Sequence, residues 1–304
     1  MVGYIVGRMA QAVLSILVIT SIVFMLVRLT GDPADVLVPD YAPPAVQERI
    51  RQQLGLDRPL YEQYARYIGG LLTLDLGTSF SGRPVIDVLL EHLPATLSLA
   101  LASLVVALGL AVPLGILSAM YQGSWIDTVA RAIALLGQSI PAFWLAMMLI
   151  LIFGVGLMWL PVAHRSGLSS YILPAIAMGW APVAGIVRLT RSSMLEVMDS
   201  DYIRMAHAKG LPNRVIYIKH ALRNAMIPVL TFGGLVLGGF LNGSVVVENV
   251  FAWPGVGTMV LDGVTLRDFP IVQGCVIMVA TFFIIINLLV DLLYVALDPR
   301  IRYG

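Results

Sequence analysis

The sequence is poor in charged residues and in cysteine, and both shortages narrow the class of protein. Only 12% of its 304 residues are charged, about half the fraction of an ordinary soluble domain. Hydrophobic residues make up 59% of the chain, much of it in long apolar runs. The single cysteine, Cys275, cannot form a disulfide within the chain. This composition excludes a water-soluble domain and predicts an all-α protein that crosses a membrane several times.

The chain also lacks the common motifs of catalysis and nucleotide binding. No GxxxxGK[ST] sequence is present, so we expect no phosphate-binding loop for ATP in this chain. Neither a GxSxG nor an HExxH sequence occurs, which argues against the usual hydrolases and metalloproteases. The histidines lie in separate loops without ligand spacing, at His92, His164, His207 and His220. We therefore expect no catalytic residue, no metal site and no cofactor bound by this chain.

Six apolar runs are long enough to cross about 30 Å of hydrocarbon. They are Ala10–Leu29, Thr96–Met120, Ala132–Trp159, Ile172–Val187, Ile227–Val247 and Ile271–Leu297. Pro141 predicts a kink in the third run. The fourth is short and contains Pro174 and Pro182, so we expect it inside a bundle, where neighbours satisfy the freed backbone groups. The first run follows Arg8 but is too long for a signal peptide, which predicts a retained helix.

Lysine and arginine in the short loops set the expected orientation. With the N-terminus inside, the cytoplasm receives Arg8, Arg131, the cations of Arg188–Arg223, Arg300 and Arg302. The other side receives Arg165, Arg267 and the acidic segment Thr30–Pro94. We therefore predict a multi-pass membrane protein with both termini in the cytoplasm.

The same pattern divides the chain into parts. Residues 1–29 are the first transmembrane helix, 30–94 an extracytoplasmic helical cap, 95–298 a five-helix core with a cytoplasmic segment at 188–226, and 299–304 a cytoplasmic tail. Helical spacing predicts two helices in the cap, which either shields helix ends or docks an outside partner. Beyond the fifth run, Phe251 and Trp253 are expected at the membrane interface, and Val256–Thr265 as a short re-entrant or surface helix.

The cations of the chain concentrate in RMAHAKGLPNRVIYIKHALRN, residues Arg204–Asn224, which contains no acidic residue. Asp199, Ser200 and Asp201 offer N-caps for a first helix, and Gly210 suits the left-handed position that ends it. A second helix is expected from about Asn213 to Met226, with Val215, Ile218 and Leu222 on one face. Pro228 is expected to mark entry into the fifth span.

Attraction to anionic lipid is one interpretation of this cationic segment, at about 1 kcal/mol per cation near the surface. That attraction explains the charges. It does not explain a capped helix with small alanines, a glycine break and a second amphipathic helix. We therefore favour a protein-docking element.

The stretch DYIRMAHAKGL followed by HALRNAMIPVL resembles the cytoplasmic EAA motif of ABC importer permeases, in the dipeptide, oligopeptide and nickel branch. Ala206 and Gly210 match the second alanine and the glycine of that motif. Arg204 stands where the broader family has glutamate, and Arg223 where it has proline, as is typical of this branch. The likeness extends along the chain through LTGDPAD, LGLDRPL, TLDLGTSF, LPATLSLA, SIPAFW, VFAWPGVG, LRDFPIVQG and LDPRIR. The chain resembles the first, B-type, permease subunit.

The resemblance implies a type I importer permease with six transmembrane helices, of which the last five form the core. It also implies a heterodimer with a second permease, two ATPase subunits that hold ATP and magnesium, and an extracytoplasmic solute-binding protein. Lipid is the remaining partner, and no nucleic acid is expected. Coupling to the ATPase is implied for Asp201, Tyr202, Arg204, Ala206, Ala208, Lys209, Gly210, His220 and Arg223.

A few polar residues within the spans are further candidates. Gln138 and Ser139, and Asn242 and Ser244, are candidates for lining the translocation path, with helix packing as the alternative. Two small-residue pairs on the fifth span, Gly234 with Gly238 and Gly239 with Gly243, permit close helix contact.

Asn287 and Asp291 form a candidate structural polar pair on the sixth span. We expect Asp291 to pair with a helix or loop cation, and a proton relay is the alternative.

The expected function is uptake of short peptides by ATP-driven alternating access. A nickel or glutathione importer of the same family is the first alternative. An ion-driven secondary transporter is the second, and it needs functional carboxylates within the membrane.

Overall fold

The computed structural model describes residues 2–30, 43–53 and 55–297. These residues are helical apart from turns and one isolated antiparallel bridge between Thr78 and Pro84. The all-α prediction is confirmed. Most of LTGDPAD and of LDPRIR, with Arg300, Arg302 and the predicted tail 299–304, lies outside the described residues.

The helices are numbered in chain order. They are α1 (Val2–Thr30), α2 (Pro44–Gln53), α3 (Leu60–Leu72), α4 (Val85–Met120), α5 (Trp125–Ser139), α6 (Ala142–Leu149) with a π-helical continuation (Ile150–Gly156), a 3₁₀ turn (Leu168–Tyr171), α7 (Ile172–Gly179), α8 (Val183–Met198), α9 (Asp201–Ala208), α10 (Asn213–Val215) with a π-helical turn (Ile216–Ala221), α11 (Leu222–Val250), α12 (Val256–Thr265) and α13 (Phe269–Leu297).

Four helices are long and apolar enough to cross a membrane, at Val6–Leu29, Val85–Met120, Ile216–Val250 and Phe269–Leu292. Two further candidates are broken: α5 and α6 meet at 101°, and the segments Leu168–Gly179 and Val183–Met198 meet at 69°. Counting each bent pair as one span gives up to six. Pro141 and Pro182 stand at the breaks, where the missing N–H of proline cannot continue the helical hydrogen bonds. The third run is therefore sharply bent where a kink was expected.

The cap segment contains the expected helices α2 and α3. Helix α3 packs against α1 through aromatic rings. The ring centroid of Phe24 in α1 lies 5.4 Å from that of Tyr64 and 5.3 Å from that of Tyr67. The hydroxyls of Ser21 and Tyr64 lie 2.6 Å apart, within hydrogen-bond distance. The second transmembrane helix begins at Val85 instead of Thr96, with Pro94 inside it. The last residues of the predicted cap therefore belong to α4.

Helix α4 lies at the centre of the bundle, in contact with α5, α7, α8, α11, α12 and α13. Its buried face is made largely of small residues, among them Ala100, Ala107, Ala111 and Gly115. A Cβ added at Gly115 would stand 2.6 Å from the Thr190 Cβ of α8. Small side chains let the helix backbones approach closely, which is how helices pack where lipid offers no hydrophobic driving force.

Gly115 and Gly109 of α4 provide a matched test of this packing. We expect Gly115→Ala to destabilise the protein by about 1–3 kcal/mol, because the new methyl group overpacks the contact with α8. Gly109 is exposed with nothing within 4 Å of an added Cβ, so Gly109→Ala should be neutral or stabilise by up to about 1 kcal/mol. The measurement is the melting temperature of each variant in detergent. Equal shifts for both would contradict the packing account.

Candidate functional site

The cationic segment is built on a short helix with a defined end. Helix α9 starts after Ser200, whose extended backbone makes it the N-cap residue, and runs to Ala208. Gly210 then adopts a left-handed backbone with φ of 71°. The N–H of Gly210 donates to the His207 carbonyl at 2.9 Å, and the N–H of Leu211 donates to the Ala206 carbonyl at 3.3 Å. This pair of bonds is a Schellman motif, so the predicted glycine stop is confirmed.

One face of α9 is buried against the ends of the long helices. Ile203 and Ala206 pack in an apolar cluster with Ala119 at the end of α4, Met194 of α8 and Ile216 of the following turn. Ala206 therefore faces the body of this chain and supports α9, where the motif match had placed it among the coupling residues. A force applied to α9 acts on α4 and α8 through this cluster, because a buried apolar contact is close-packed.

The second helix of the segment runs without a break into the fifth span, so the predicted boundary at Pro228 is wrong. Pro228 lies inside α11. The predicted apolar face is also wrong in part, because Ile218 is 55% exposed while Ile216 and Ala221 are fully buried. The cause is the π-helical turn at 216–221, which adds a residue to the turn and so rotates the side chains away from a regular helical register.

The opposite side of α9 is exposed and, with the first turns of α11, borders a groove of about 560 Å³. Tyr202 and Asn224 join the two walls, since the Asn224 amide donates to the Tyr202 hydroxyl at 2.7 Å. The groove is lined by Tyr202, Lys219, His220, Arg223, Asn224, Ile227 and Leu230. We call this groove and the exposed side of α9 the docking face.

The structure collects most of the predicted coupling residues on this docking face. Tyr202, His220 and Arg223 line the groove, Asp201, Arg204 and Ala208 are exposed on α9, and Lys209 is exposed directly after it. Asp201 pairs with Arg204 at 3.3 Å, but both side chains are well exposed, so this ion pair adds little stability. Cations therefore predominate on the docking face.

A buried carboxylate beneath this region was not recognised from the sequence. Asp127, 1% exposed, accepts hydrogen bonds from the Ser118 hydroxyl at 2.5 Å and the Gly123 N–H at 3.1 Å. Its carboxylate also pairs with Arg191 of α8 at 3.2 Å and with Arg131 at 3.3 Å. The network ties the turn between α4 and α5 to α8. The only local signals were the Ser124 N-cap and the spacing from Asp127 to Arg131.

A second buried carboxylate lies near the opposite end of the long helices. Glu248, fully buried, accepts hydrogen bonds from the Thr96 hydroxyl at 2.7 Å, the Gly257 N–H at 2.7 Å and the Thr258 N–H at 3.2 Å. It thereby joins α11 to α4 and to the start of α12. A Cβ at Gly255 would collide with the Glu248 carboxylate, so the loop VFAWPGVG needs its glycine there.

The aromatic residues of the same loop are buried, which corrects their predicted place at the membrane interface. Phe251 is 1% exposed and Trp253 fully buried, and the Trp253 indole N–H donates to the Ala95 carbonyl at 3.0 Å. An indole whose N–H is satisfied inside the protein has no need of interfacial water. Helix α12 occupies the predicted range Val256–Thr265.

The candidates for the translocation path separate into exposed and buried residues. Gln138 and Ser139 are exposed at the α5–α6 bend, and Asn242 is exposed on α11. Ser244 is 1% exposed and donates to the Leu241 carbonyl at 3.3 Å, which corrects its assignment as a path-lining group. It lies one helical turn before Glu248 and so shares the buried face of α11.

The two small-residue pairs of α11 differ in whether another helix packs against them. A Cβ at Gly234 would collide with Val290 of α13, and one at Gly238 would meet Phe283 at 3.2 Å, so this pair serves helix packing. Gly239 and Gly243 are exposed with nothing within 4 Å of an added Cβ. A smooth, uncovered stripe therefore runs along α11 beside Asn242.

On the last helix, Asp291 accepts a hydrogen bond from the Arg8 guanidinium of α1 at 3.0 Å. Asn287 lies beside this ion pair in a cleft between α1 and α13. The cation that was expected to pair with Asp291 is therefore Arg8 of the first helix.

Two family models match the sequence. Residues 111–303 match the model "Binding-protein-dependent transport system inner membrane component". Residues 1–100 match the N-terminal model of membrane components of binding-protein-dependent transport systems.

Individual relatives align over the full length. The "Glutathione transport system permease protein GsiC" of Escherichia coli strain K12 is 42% identical over 305 residues, covering 100% of both chains. Proteins of that name from Escherichia coli O6:H1 and Shigella dysenteriae serotype 1 show the same 42% identity and 100% coverage.

Solved structures show the same fold at low sequence identity. The MetNI methionine ABC transporter in inward-facing conformations matches with a TM-score of 0.56 and 18% identity, covering 70% of this chain and 97% of that chain. An amino acid ABC transporter with histidines matches with a TM-score of 0.50 and 15% identity, over 70% and 94% of the two chains.

The network around Asp127 can be tested by its effect on stability. We expect Asp127→Asn to destabilise the protein by about 3 kcal/mol, since it leaves Arg191 without a charged partner in a mostly buried position. Glu62→Gln removes a carboxylate from an exposed pair with Arg58 at 3.6 Å and should change stability by less than about 1 kcal/mol. Melting temperatures in detergent measure both. An Asp127→Asn protein as stable as the Glu62→Gln control would show that the network is not structural.

Proposed function

This chain belongs to the family of binding-protein-dependent transport system inner membrane components, and from that premise we propose that it carries short peptides, with glutathione the first solute to test. As a member it is a multi-pass permease of an ABC importer in the bacterial inner membrane, and it is not an enzyme. ATP hydrolysis belongs to separate subunits. The predicted type I permease fold is confirmed by its structural relatives.

The coupling role of the docking face rests chiefly on one observation: α9 exposes cations on one side while its other side is fixed to α4 and α8. An exposed cationic helix alone could be a lipid-binding element. A helix packed on the ends of two long helices can in addition transmit a movement, because close-packed interiors are not continuously deformable. On this proposal, closure of the ATPase pair moves α9, and α9 moves the bundle between outward-open and inward-open states.

The remaining partners follow from the same proposal. A second permease faces the uncovered stripe of α11 at Asn242, Gly239 and Gly243 across the translocation path, which lies between the two subunits. A solute-binding protein docks at the end of the bundle away from α9. The positive-inside rule puts α9 and both termini in the cytoplasm, because the cations concentrate at that end.

Glutathione is favoured among the short peptides by the full-length similarity to proteins named for glutathione transport. A nickel importer remains the alternative within the family. An ion-driven secondary transporter is less well supported. Its candidate proton-carrying acid is Asp291, and that side chain forms an ion pair with Arg8.

Charge reversal on the docking face tests the coupling proposal. We expect the double variant Arg204→Glu and Lys209→Glu to lower solute uptake at least about tenfold, since reversing two exposed cations repels an acidic partner surface. Arg58→Glu, an exposed reversal on the cap segment, should leave association with the ATPase unchanged.

The measurements are uptake into cells and co-purification of the ATPase subunits with each variant. Normal uptake by the double variant, at equal amounts of protein in the membrane, would contradict a role of α9 in ATPase docking.

Uptake of labelled solutes tests the substrate. Cells lacking only this gene should take up less labelled glutathione, and a plasmid copy should restore uptake. A dipeptide and a nickel salt, measured in parallel, separate the alternatives within the family. Selective loss of nickel uptake, or of dipeptide uptake alone, would replace glutathione as the assigned solute.

A further inference from the structure

A polar cleft of about 210 Å³ lies between α1 and α13. The two helices pack side by side, with the beginning of α1 next to the end of α13. At its mouth the Arg8 guanidinium and the Asp291 carboxylate stand 3.0 Å apart, with side chains 41% and 27% exposed. The docking face and the path candidates use none of these residues.

The polarity of the cleft changes in steps along the helices. Arg8 and Asp291 form the first layer. Gln11 and Asn287 follow about one helical turn further into the span, and Ser15 and Phe283 line the next layer. A charged layer is thus followed by amides and then by a mostly apolar layer, which is the order of groups along a glycerophospholipid from headgroup through ester linkage to acyl chain.

The cleft also lies at the depth of lipid headgroups. The membrane-crossing parts of the two helices are Val6–Leu29 and Phe269–Leu292, so Arg8 and Asp291 stand within the first and last turn of their spans. Charged side chains near helix ends reach the interfacial region of the bilayer, where headgroups are found.

We propose that this cleft binds a phospholipid whose headgroup carries both a phosphate and a primary ammonium, as in phosphatidylethanolamine. The phosphate accepts hydrogen bonds from the Arg8 guanidinium, whose planar geometry suits phosphate oxygens. The ammonium donates to the Asp291 carboxylate. The amide groups of Gln11 and Asn287 lie at the depth of the ester carbonyls and donate to them.

Opposite charges at the mouth favour this headgroup over the two other common kinds. An anionic headgroup without an ammonium leaves its phosphate and the Asp291 carboxylate to share the single guanidinium of Arg8, which is less favourable than two matched pairs of charges. A quaternary ammonium carries no N–H and cannot donate a hydrogen bond to the carboxylate. The recognition therefore depends on the N–H groups of the ammonium as well as on its charge.

The test uses the full chain purified with its partner subunits, stripped of lipid in mild detergent and examined by native mass spectrometry. The added lipids share their acyl chains and differ in headgroup: ethanolamine, its mono- and dimethyl forms, choline and glycerol. We expect about three- to fivefold more retained phosphatidylethanolamine than phosphatidylcholine or phosphatidylglycerol, the ratio expected from one partly exposed ion pair. Retention should fall stepwise as methyl groups are added.

Variants locate the binding. Arg8→Gln and Asp291→Asn should each lower the retention of phosphatidylethanolamine to that of phosphatidylcholine. Arg83→Gln is the matched control, because Arg83 and Glu91 form another exposed pair at 3.0 Å away from the cleft, and it should change nothing. Should one cleft variant fail to fold, the other still locates the binding, and the methylation series on the unchanged protein tests the headgroup preference.

Three results would overturn the proposal. Equal retention of all headgroups means that the cleft does not recognise them, and preference for phosphatidylglycerol means a site for anionic lipid. Displacement of the lipid by an equal concentration of soluble glycerophosphoethanolamine would assign the cleft to a water-soluble ligand.

Discussion

The close packing of α4 against its neighbours is the constraint on which the rest of the structure depends. This helix is 36 residues long and touches at least six other helices of the described chain. Near one end, Thr96 binds the buried carboxylate of Glu248. Near the other, Ser118 binds that of Asp127, and Ala119 packs beneath α9. The networks of Glu248 and Asp127 are therefore both attached to this one helix, with roughly 35 Å between Thr96 and Ala119 at 1.5 Å per residue.

This arrangement gives a physical reason for movement at α9 to reach the far end of the bundle. Buried carboxylates that are fully hydrogen-bonded fix the relative position of the elements they join, since breaking one bond leaves a costly unsatisfied group. Glu248 fixes the start of α12 to α4, and Asp127 fixes the α4–α5 turn to α8. On the proposed function, α4 and its attached elements then move as one body in response to the ATPase subunits.

The sequence was informative where the signal is local and less so where it depends on contacts between distant residues. Apolar runs located the spans, and Gly210 located the end of α9, because length and backbone conformation are local properties. The 101° break after Ser139 and the π-helical turn at 216–221 depend on neighbouring helices, and regular periodicity cannot show them. No local pattern marks Glu248 or Asp127 as a buried acid. Each has one partner far along the chain, Thr96 for Glu248 and Arg191 for Asp127, so the links between distant helices became visible only in three dimensions.

Solute selection is a separate matter from coupling, and the exposed residues of α11 bear on it. The uncovered stripe offers glycine and the neutral amide of Asn242, and Gln138 at the α5–α6 bend is likewise an uncharged amide. A peptide carries charged groups, and a path that held them with buried opposite charges would also retain them, because charge-assisted hydrogen bonds are strong. Neutral amides hydrogen-bond any peptide weakly and release it. On the proposed function such a path passes its solute with little discrimination, so the choice between glutathione and other short peptides falls to the solute-binding protein.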